Sequence, residues 1–312
     1  MSPAPVILLG PQQAGGGHVG AVLRELGVTG PVALVTAGWQ EREADDAALI
    51  AALGVPVVNL RLHARSEAVF AGDPPLTQAY KARQELLRHL QDFYRVRLDY
   101  IDDAARAISV RHVEPELLEQ EWRVSVELFR QIDRDHLERC TSIHAEFDER
   151  WRLGERAIIA RHRSEIAAVI GASSAVVIAG GHVASLLNRM KLFDVVGLAA
   201  GKPMVAWSAG AMVLTERIVL FHDYPPYGKA IAQVLDAGFG LAPGLVVLPD
   251  PLRRIRMDDT LGIARFAQRM APSTCVAMGQ GTQVAFEHGR LLRASVDRLA
   301  TSGEVERSWA GP

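Results

Sequence analysis

The sequence has little cysteine, little net charge and no long apolar run, and each shortage excludes a class of protein. Two cysteines in 312 residues are too few for a disulfide framework. Neither Cys140 nor Cys275 has a partner at metal-ligand spacing, so we expect two small core residues in a reducing compartment. A formal net charge of −2 gives no general attraction to nucleic acid or to an anionic membrane.

The same shortage of apolar sequence argues against a membrane protein. No apolar stretch reaches the roughly 18 residues that a membrane helix needs. The longest candidate, 166–181, is interrupted by glycine and serine. The N-terminal residues lack a basic start, and their short apolar run is typical of a first strand rather than of a signal peptide. We therefore expect a cytoplasmic protein with no nucleic-acid or membrane partner.

Short apolar runs alternate with helical segments over the first 60 residues, and the alternation resumes near residue 175. The predicted strands are 6–9, 32–36, 55–60, 175–179, 204–207, 244–248, 274–278 and 282–287, and the predicted helices include 18–26, 42–53 and 259–270. Apolar strands separated by helices predict a mainly parallel sheet covered by helices on both faces. The last ten residues are polar and contain glycine, which predicts a loose tail.

Residues 77–165 interrupt this alternation, because strand-like runs give way to glutamate, arginine, glutamine and leucine. Apolar residues there recur mostly three or four positions apart, which predicts one stripe along a long helix. The stripe consists of Leu118, Trp122, Val126, Phe129, Ile132, Cys140, Ile143, Phe147 and Trp151, with a polar gap at His136. Two alternatives stay open: a helical layer or lid packed on the sheet, or a surface that joins two copies as a homodimer.

Three glycines at 15–17 follow the first predicted strand, where a glycine turn could approach a phosphate. Their spacing fits neither the dinucleotide-binding pattern nor the P-loop, and no Lys-Ser or Lys-Thr pair follows. We expect a tight turn there and no nucleotide cofactor.

The strongest chemical signal is the segment VAWSAGA at 205–211, in which a predicted apolar strand leads into Ser208, small residues and a helix. This order places the serine backbone in a strained turn and lifts its hydroxyl above the sheet. The helix N-terminus and the amide after Ser208 can stabilise a developing oxyanion. A plain N-cap serine is the alternative that the pattern alone leaves open.

A second signal is the segment VVIAGGH at 176–182, a predicted strand that ends in Gly180 and Gly181. Glycines at the carboxyl edge of a parallel sheet leave backbone amides free where ligands usually bind. Because a Gly-Gly pair after a strand is common, this signal is weak by itself.

Together, the Gly-Gly pair at 180–181, the Leu-Leu pair at 186–187 and the Ser-Ala-Gly-Ala segment at 208–211 resemble the serine-peptidase family of aspartyl dipeptidases (dipeptidase E) and cyanophycinases. The resemblance covers roughly 165–290. It implies a three-layer α/β sandwich with a mainly parallel sheet, flavodoxin-like and similar to class I glutamine amidotransferases, with serine in place of cysteine. Residues 1–312 then form a single α/β domain, with 77–165 as a helical insertion within it.

The resemblance also implies roles for particular residues. Ser208 matches the nucleophile, and Gly181 and Ala209 match the backbone donors of the oxyanion hole. Gly180 belongs to the same turn and would contact the substrate. Asp223, fifteen residues after Ser208, falls where the dipeptidase branch has an acidic partner.

The sequence departs from the family at three places. Asp250 stands where the family has its catalytic histidine, although Arg254-x-Arg256 resembles the cyanophycinase pattern after that histidine and supports the register. Gln280 stands at the place of a glutamate near a later strand and becomes a candidate substrate contact. Ala206 replaces the glycine usually found two residues before the serine.

A serine hydroxyl needs a base within about 3 Å to become a good nucleophile. Asp250, with the ordinary pKa of a carboxyl group, would be a weak base. His182 and His222 adjoin the matched segments and are the alternative bases. His222 is next to Asp223, but neighbours on a strand point to opposite faces, so both cannot face Ser208 if that segment is extended. Structural histidines remain the alternative for both.

A basic cluster at Arg253, Arg254 and Arg256 lies near the same predicted sheet edge. Arg254 and Arg256 could hold a substrate carboxylate. The alternative is a solvated loop or helix start that pairs with Asp258 and Asp259.

The residues leave two functions of different classes open. The first is a serine-type hydrolase of a peptide or isopeptide amide, in which a base outside the family pattern activates Ser208. The second is a catalytically inactive member of the family that binds a small peptide, a carboxylate-bearing ligand or a protein. A glutaminase is disfavoured, because serine occupies the place of the cysteine nucleophile.

Overall fold

The protein is described by a computed structural model over residues 4–12, 17–223 and 231–311. The predicted glycine turn at 15–17 lies outside this range except for Gly17, which begins the first helix. The strands are β1 Val6–Leu9, β2 Val32–Val35, β3 Val57–Asn59, β4 Ala175–Ile178, β5 Met204–Trp207, β6 Arg217–Leu220, β7 Gln233–Ala237, β8 Leu245–Pro249, β9 Thr274–Met278, β10 Gln283–Glu287, β11 Arg290–Leu299 and β12 Val305–Trp309.

Helices precede and follow these strands in the order that an α/β fold requires. The α-helices are α1 Gly17–Glu25, α2 Ala47–Leu53, α3 Leu62–Gly72, α4 Pro74–Ser109, α5 Pro115–Trp151, α6 Ala157–Ala172, α7 Val183–Leu192, α8 Val195–Leu198, α9 Ala209–Val213, α10 Pro251–Arg254 and α11 Thr260–Met270. Two 3₁₀ helices cover Ala37–Arg42 and Leu153–Glu155. Across the described ranges, no helix combines the length and apolarity needed to cross a membrane.

Five parallel strands in the order β3-β2-β4-β5-β1 form one half of the main sheet. Every residue of β1, β2, β4 and β5 is buried, which explains why these strands are continuously apolar in sequence. Because the strands are parallel, their carboxyl ends lie along one edge of the sheet. The candidate site lies at this edge of the sheet.

The other half of the sheet continues from β1 through β10, β11, β9 and β8. The pairing of β1 with β10 joins the two halves, and the long strand β11 pairs through its first part with β10 and through its second part with β9 and β12. The predicted loose tail is wrong, since β12 pairs with β11 and Arg298 lies 5.5 Å from the ring centre of Trp309. The strands β6 and β7 form a separate two-stranded sheet.

Helices cover both faces of the sheet and make the fold a three-layer α/β sandwich, as predicted. On one face α1 and α2 pack through Val19, Leu23, Leu49 and Leu53 against the sheet. The other helices that bury apolar residues, including α3, α6, α7 and the long pair α4 and α5, pack in a larger cluster against the opposite face.

The predicted helical insertion is present as a hairpin of α4 and α5, with 36 and 37 residues. The helical region extends beyond 77–165. It begins with α3 at Leu62 and ends with α6 at Ala172. Most of the predicted stripe is buried or partly buried, as expected of a layer packed on the same chain. His136, the polar position in this stripe, is buried as well: the residue is 3% exposed, and its ring stacks on Tyr94 at 4.3 Å between ring centres.

Candidate active site

Ser208 lies in a strained turn between the buried strand β5 and the helix α9. Its φ of 50° and ψ of −119° fall in a region that L-residues rarely adopt, at a cost of about 1–3 kcal/mol. The turn needs small neighbours, because a Cβ on Gly210 would lie 2.5 Å from the carbonyl oxygen of Ile178. The helix can therefore begin directly above the end of β4, with Ser208 at the edge of the sheet.

The glycine turn after β4 packs directly on Ser208, as the paired motifs predict. A Cβ on Gly180 would lie 2.9 Å from the Cβ and 3.6 Å from the Oγ of Ser208. Gly181 has a φ of 120°, and a Cβ there would lie 2.4 Å from the carbonyl oxygen of Gly38. Glycine at both positions lets three backbone segments meet beside the serine hydroxyl.

Two backbone amides near Ser208 are free to bind an oxygen. Among the described residues, none accepts a hydrogen bond from the amide of Gly181 or of Ala209. Ala209 is the first residue of α9, so its amide has no acceptor within the helix. A pair of unsatisfied amides beside a serine is the arrangement that stabilises a developing oxyanion.

A third segment, after β2, completes the site and was not predicted. The carbonyl of Gly38 accepts a hydrogen bond of 2.7 Å from the amide of His182. Gln40 has φ 56° and ψ −126°, nearly the conformation of Ser208, and its Nε2 donates to the Oγ of Ser185 at 2.8 Å. The carboxyl end of a parallel strand was the one sequence signal that pointed to this segment.

His182 is exposed and caps helix α7. Its Nδ1 accepts from the amide of Ser185 at 3.2 Å and lies 3.0 Å from the Oγ of that serine. In a neutral ring with Nδ1 as acceptor, the proton is on Nε2. Neither nitrogen then has a lone pair available for the hydroxyl of Ser208, so His182 acts as a base only if it leaves this cap.

Asp250 begins helix α10 at the end of β8. Its backbone is left-handed, with φ 57° and ψ 52°, and its Oδ2 lies 3.9 Å from the Nε of Arg253. Its amide donates to the carbonyl of Met278 at 3.1 Å, which joins it to the loop that contains Gln280. Gln280 is exposed in that loop.

Backbone hydrogen bonds connect this loop to the turn at Ser208. The amide of Ser208 donates to the carbonyl of Leu9 at 3.3 Å, and the amide of Gly10 donates to the carbonyl of Thr282 at 3.1 Å. The segments that follow β1, β5, β8 and β9 therefore lie next to one another.

Asp223 contacts the end of α10 and the segment after it. The amide of Asp223 donates to the carbonyl of Arg254 at 2.7 Å, and its Oδ2 accepts from the amide of Arg256 at 2.7 Å. Arg254 is exposed over the ring of Phe221, with 5.7 Å between the guanidinium carbon and the ring centre. The structure thus brings the predicted acid and the two predicted arginines together.

These residues lie along a cavity that Ser208 does not line. The cavity has a volume of about 640 Å³, and His222, Asp223 and Arg256 are on its wall. The predicted site residues therefore fall into two groups: one around the turn at Ser208, and one along this cavity.

The cysteines take no part in either group. Cys140 and Cys275 are both buried and free, and burial raises the pKa of each thiol to about 12. A thiol with such a pKa is protonated at neutral pH and is a poor nucleophile. Within the described residues, no group of histidine, cysteine and acidic side chains has the geometry of a metal site.

Comparison with known proteins gives a likeness of fold alone. No family model matches the chain, and no curated protein matches it. Among solved structures, a peptidase from an acI-B1 Actinobacterium is 12% identical, with 98% of this chain and 97% of that chain covered and a TM-score of 0.46. A protein of Listeria monocytogenes EGD-e, provisionally assigned as a peptidase E, is 13% identical, with 96% and 100% covered and a TM-score of 0.44.

Proposed function

We propose that this protein is a serine-type hydrolase that cleaves the amide of a peptide or isopeptide, with Ser208 as the nucleophile. The observation that carries the proposal is the strained backbone of Ser208 between β5 and α9, packed on Gly180. A protein keeps strain of about 1–3 kcal/mol only where the surrounding structure enforces it, and such positions cluster at functional sites.

The chemistry would follow the acyl-enzyme route. The Oγ of Ser208 attacks the carbonyl carbon of the substrate, and the amides of Gly181 and Ala209 donate to the oxygen as it becomes negative. The C–N bond then breaks, and the amine leaves with a proton from the base that activated the serine. Water hydrolyses the resulting ester and restores Ser208.

A base outside the family pattern would have to activate Ser208. His182 directly follows the glycine turn that packs on Ser208, but its Nδ1 is engaged by Ser185. Asp250 stands where the resemblance places the family histidine, and a carboxylate is a weaker base than an imidazole for a serine proton. We therefore expect standard aspartyl dipeptides and cyanophycin to be turned over poorly, because general-base assistance is worth about 10² to 10⁴ in rate.

The engaged ring of His182 and the aspartate at position 250 also favour a second function. In that case the chain is an inactive member of the family, and the turn at Ser208 binds a small carboxylate-bearing ligand through its free amides. The two functions differ in one measurable property, the reactivity of the Ser208 hydroxyl.

A fluorophosphonate probe tests that reactivity directly. Wild-type protein should be labelled at Ser208, and Ser208→Ala should not. Ser302→Ala serves as a matched control, because it removes an exposed hydroxyl in the turn between β11 and β12 and leaves the proposed nucleophile. No labelling of the wild type at high probe concentration would contradict the hydrolase and support the binding function.

The variant Asp250→His tests the missing base. Histidine tolerates the left-handed backbone of this position better than most residues. Turnover of an aspartyl dipeptide or cyanophycin should rise in Asp250→His and vanish in the double variant that also carries Ser208→Ala. Robust wild-type turnover that Ser208→Ala abolishes would contradict the missing base and point to His182 or His222.

A further inference from the structure

We propose that the cavity between the helical hairpin and α11 is a binding site for a small organic anion with an apolar ring, separate from the turn at Ser208. The cavity has a volume of about 640 Å³, within the roughly 300–1,000 Å³ typical of small-molecule sites. Residues of α4, α5 and α11 and of the segments beside β6 and β7 line it.

The walls supply flat apolar surface for a ring. Four aromatic side chains line the cavity: Trp122, Phe129, Phe221 and Phe266. The indole of Trp122 is held in place, because its Nε1 donates to the Oε1 of Gln268 at 2.5 Å. Aromatic rings in a pocket pair favourably with a ligand ring beyond the gain from area buried.

Arg265 brings a positive charge to the cavity wall, and one of its donors lacks an acceptor. Its guanidinium carbon lies 5.0 Å from the ring centre of Trp122, and its Nε is buried without a hydrogen-bond acceptor among the described residues. Burial, and next the neighbouring Arg106, lower the pKa of Arg265, and the carboxylates of Asp102 and Asp259 offset this only in part. A buried donor without an acceptor is costly, and an anionic ligand would remove that cost.

The acidic residues on the same wall are already engaged. Asp102 accepts from Arg106 at 2.6 Å, and Asp259 accepts from the amide of Gly262 at 2.9 Å. Asp223 accepts from the amide of Arg256 at 2.7 Å.

Asp103 has a partner as well. The Nε of Arg265 is therefore the buried donor that a ligand would satisfy, which favours a carboxylate or sulfonate over a cation.

The cavity is separate from the turn that holds the proposed nucleophile. Neither Ser208 nor the glycine turn at 180–181 lines the cavity. A ligand held by Arg265 and Trp122 should therefore bind equally well to Ser208→Ala.

Calorimetric titration of the full chain with a matched pair of probes tests the proposal. The anion 2-naphthoate should bind with one-to-one stoichiometry, at least about tenfold more tightly than the neutral 2-naphthamide. Arg265→Gln should weaken 2-naphthoate about 10- to 100-fold, which corresponds to the loss of a charge-assisted hydrogen bond, and should leave 2-naphthamide unchanged. Arg290→Gln, on the exposed start of β11, is the matched control and should bind as the wild type does.

Several results would overturn the proposal. These are no binding of 2-naphthoate at millimolar concentration, equal affinity for the two probes, or unchanged affinity in a folded Arg265→Gln. Loss of binding in Ser208→Ala would show that the ligand occupies the serine turn instead. If Arg265→Gln does not fold, Arg265→Lys decides, because an ammonium cannot match the planar guanidinium over Trp122 and unchanged affinity would again contradict the site.

Discussion

Gly181 shows at the scale of one residue how closely the backbone is fitted around Ser208. Its φ of 120° strains any residue with a Cβ, and that Cβ would also lie 2.4 Å from the carbonyl oxygen of Gly38. We expect Gly181→Ala to lower the free energy of unfolding by about 2–4 kcal/mol, from backbone strain and overpacking together. Denaturant unfolding measures this change.

Gly171 provides the matched control for that variant. It lies within α6, and an added Cβ would meet nothing within 4 Å. Gly171→Ala should therefore raise the free energy of unfolding by roughly 0.5–1 kcal/mol, because alanine loses less entropy than glycine in a helix. Equal effects of the two substitutions would show that the contact with Gly38 is not tight.

The sequence predicted part of this site for a clear physical reason. The order of strand, serine and small residues restricts the backbone locally, so the turn at Ser208 and its contact with Gly180 could be expected from two short segments. The bond between Gln40 and Ser185 could not, because it joins residues 145 positions apart and depends on a positive φ at a residue other than glycine. No local pattern encodes either feature.

At the scale of secondary structure, a buried network fixes the hairpin to α11. The guanidinium of Arg269 donates to both carboxylate oxygens of Asp133, at 2.7 and 2.8 Å, and also to the hydroxyl of Tyr94 at 2.9 Å. Tyr94 in turn donates to Asp133 at 2.7 Å and accepts from the amide of Val234 at 3.1 Å. Both charged groups are almost fully buried, so each depends on the other.

Asp133→Asn should destabilise the protein strongly. The substitution leaves the charge of Arg269 buried and unpaired, which typically costs about 3–5 kcal/mol. Glu127→Gln is the control, because Glu127 pairs with Arg134 on the exposed face of the same helix and such exposed pairs contribute little to stability. Denaturant unfolding measures the free energy of unfolding of both variants. A decrease below about 1 kcal/mol in Asp133→Asn would show that the network does not stabilise the hairpin on α11.

The hairpin also shows why element type was easier to predict than contacts. Apolar spacing predicted helices over this region, but the pattern treated His136 as a gap because it counts polar side chains as exposed. Stacking on Tyr94 and a contact of 3.6 Å with the sulfur of Cys140 bury that ring instead. The strands β6, β7, β11 and β12 were missed because exposed or partly exposed residues interrupt their apolar runs.

Homodimerisation through the hairpin stays a prediction. The stripe first assigned to such a surface packs within the chain. Apolar side chains that remain exposed on α4 are Leu86, Phe93, Val96 and Tyr100. Three of them are seven residues apart and therefore lie on one face of the helix.

At the scale of the whole molecule, buried histidines link stability to pH. Burial lowers the pKa of His136 and, together with Arg65, that of His162. Both rings are less than a tenth exposed. In the unfolded chain each ring takes up a proton near pH 6.5, whereas the folded protein resists protonation until the pH is lower.

The sign of the effect follows from this difference. Below about pH 6.5 the unfolded state binds more protons than the folded state, so the free energy of unfolding falls as the pH falls. Each histidine contributes at most about 1.4 kcal/mol per pH unit between its unfolded and folded pKa. Asp236 adds to the loss at still lower pH, because its pKa is lowered, against the opposing effect of burial, by His144 and Lys191.

His136→Phe isolates one of these contributions. Phenylalanine keeps an aromatic ring against Tyr94 and removes the site of protonation. Unfolding by urea at several pH values between 7 and 5 should give a shallower loss of stability for the variant, with slopes that differ by up to about 1.4 kcal/mol per pH unit. If stability fell with pH equally in the two proteins, His136 would be protonated equally easily in the folded and unfolded chain. Its burial in the hairpin would then not hold it neutral.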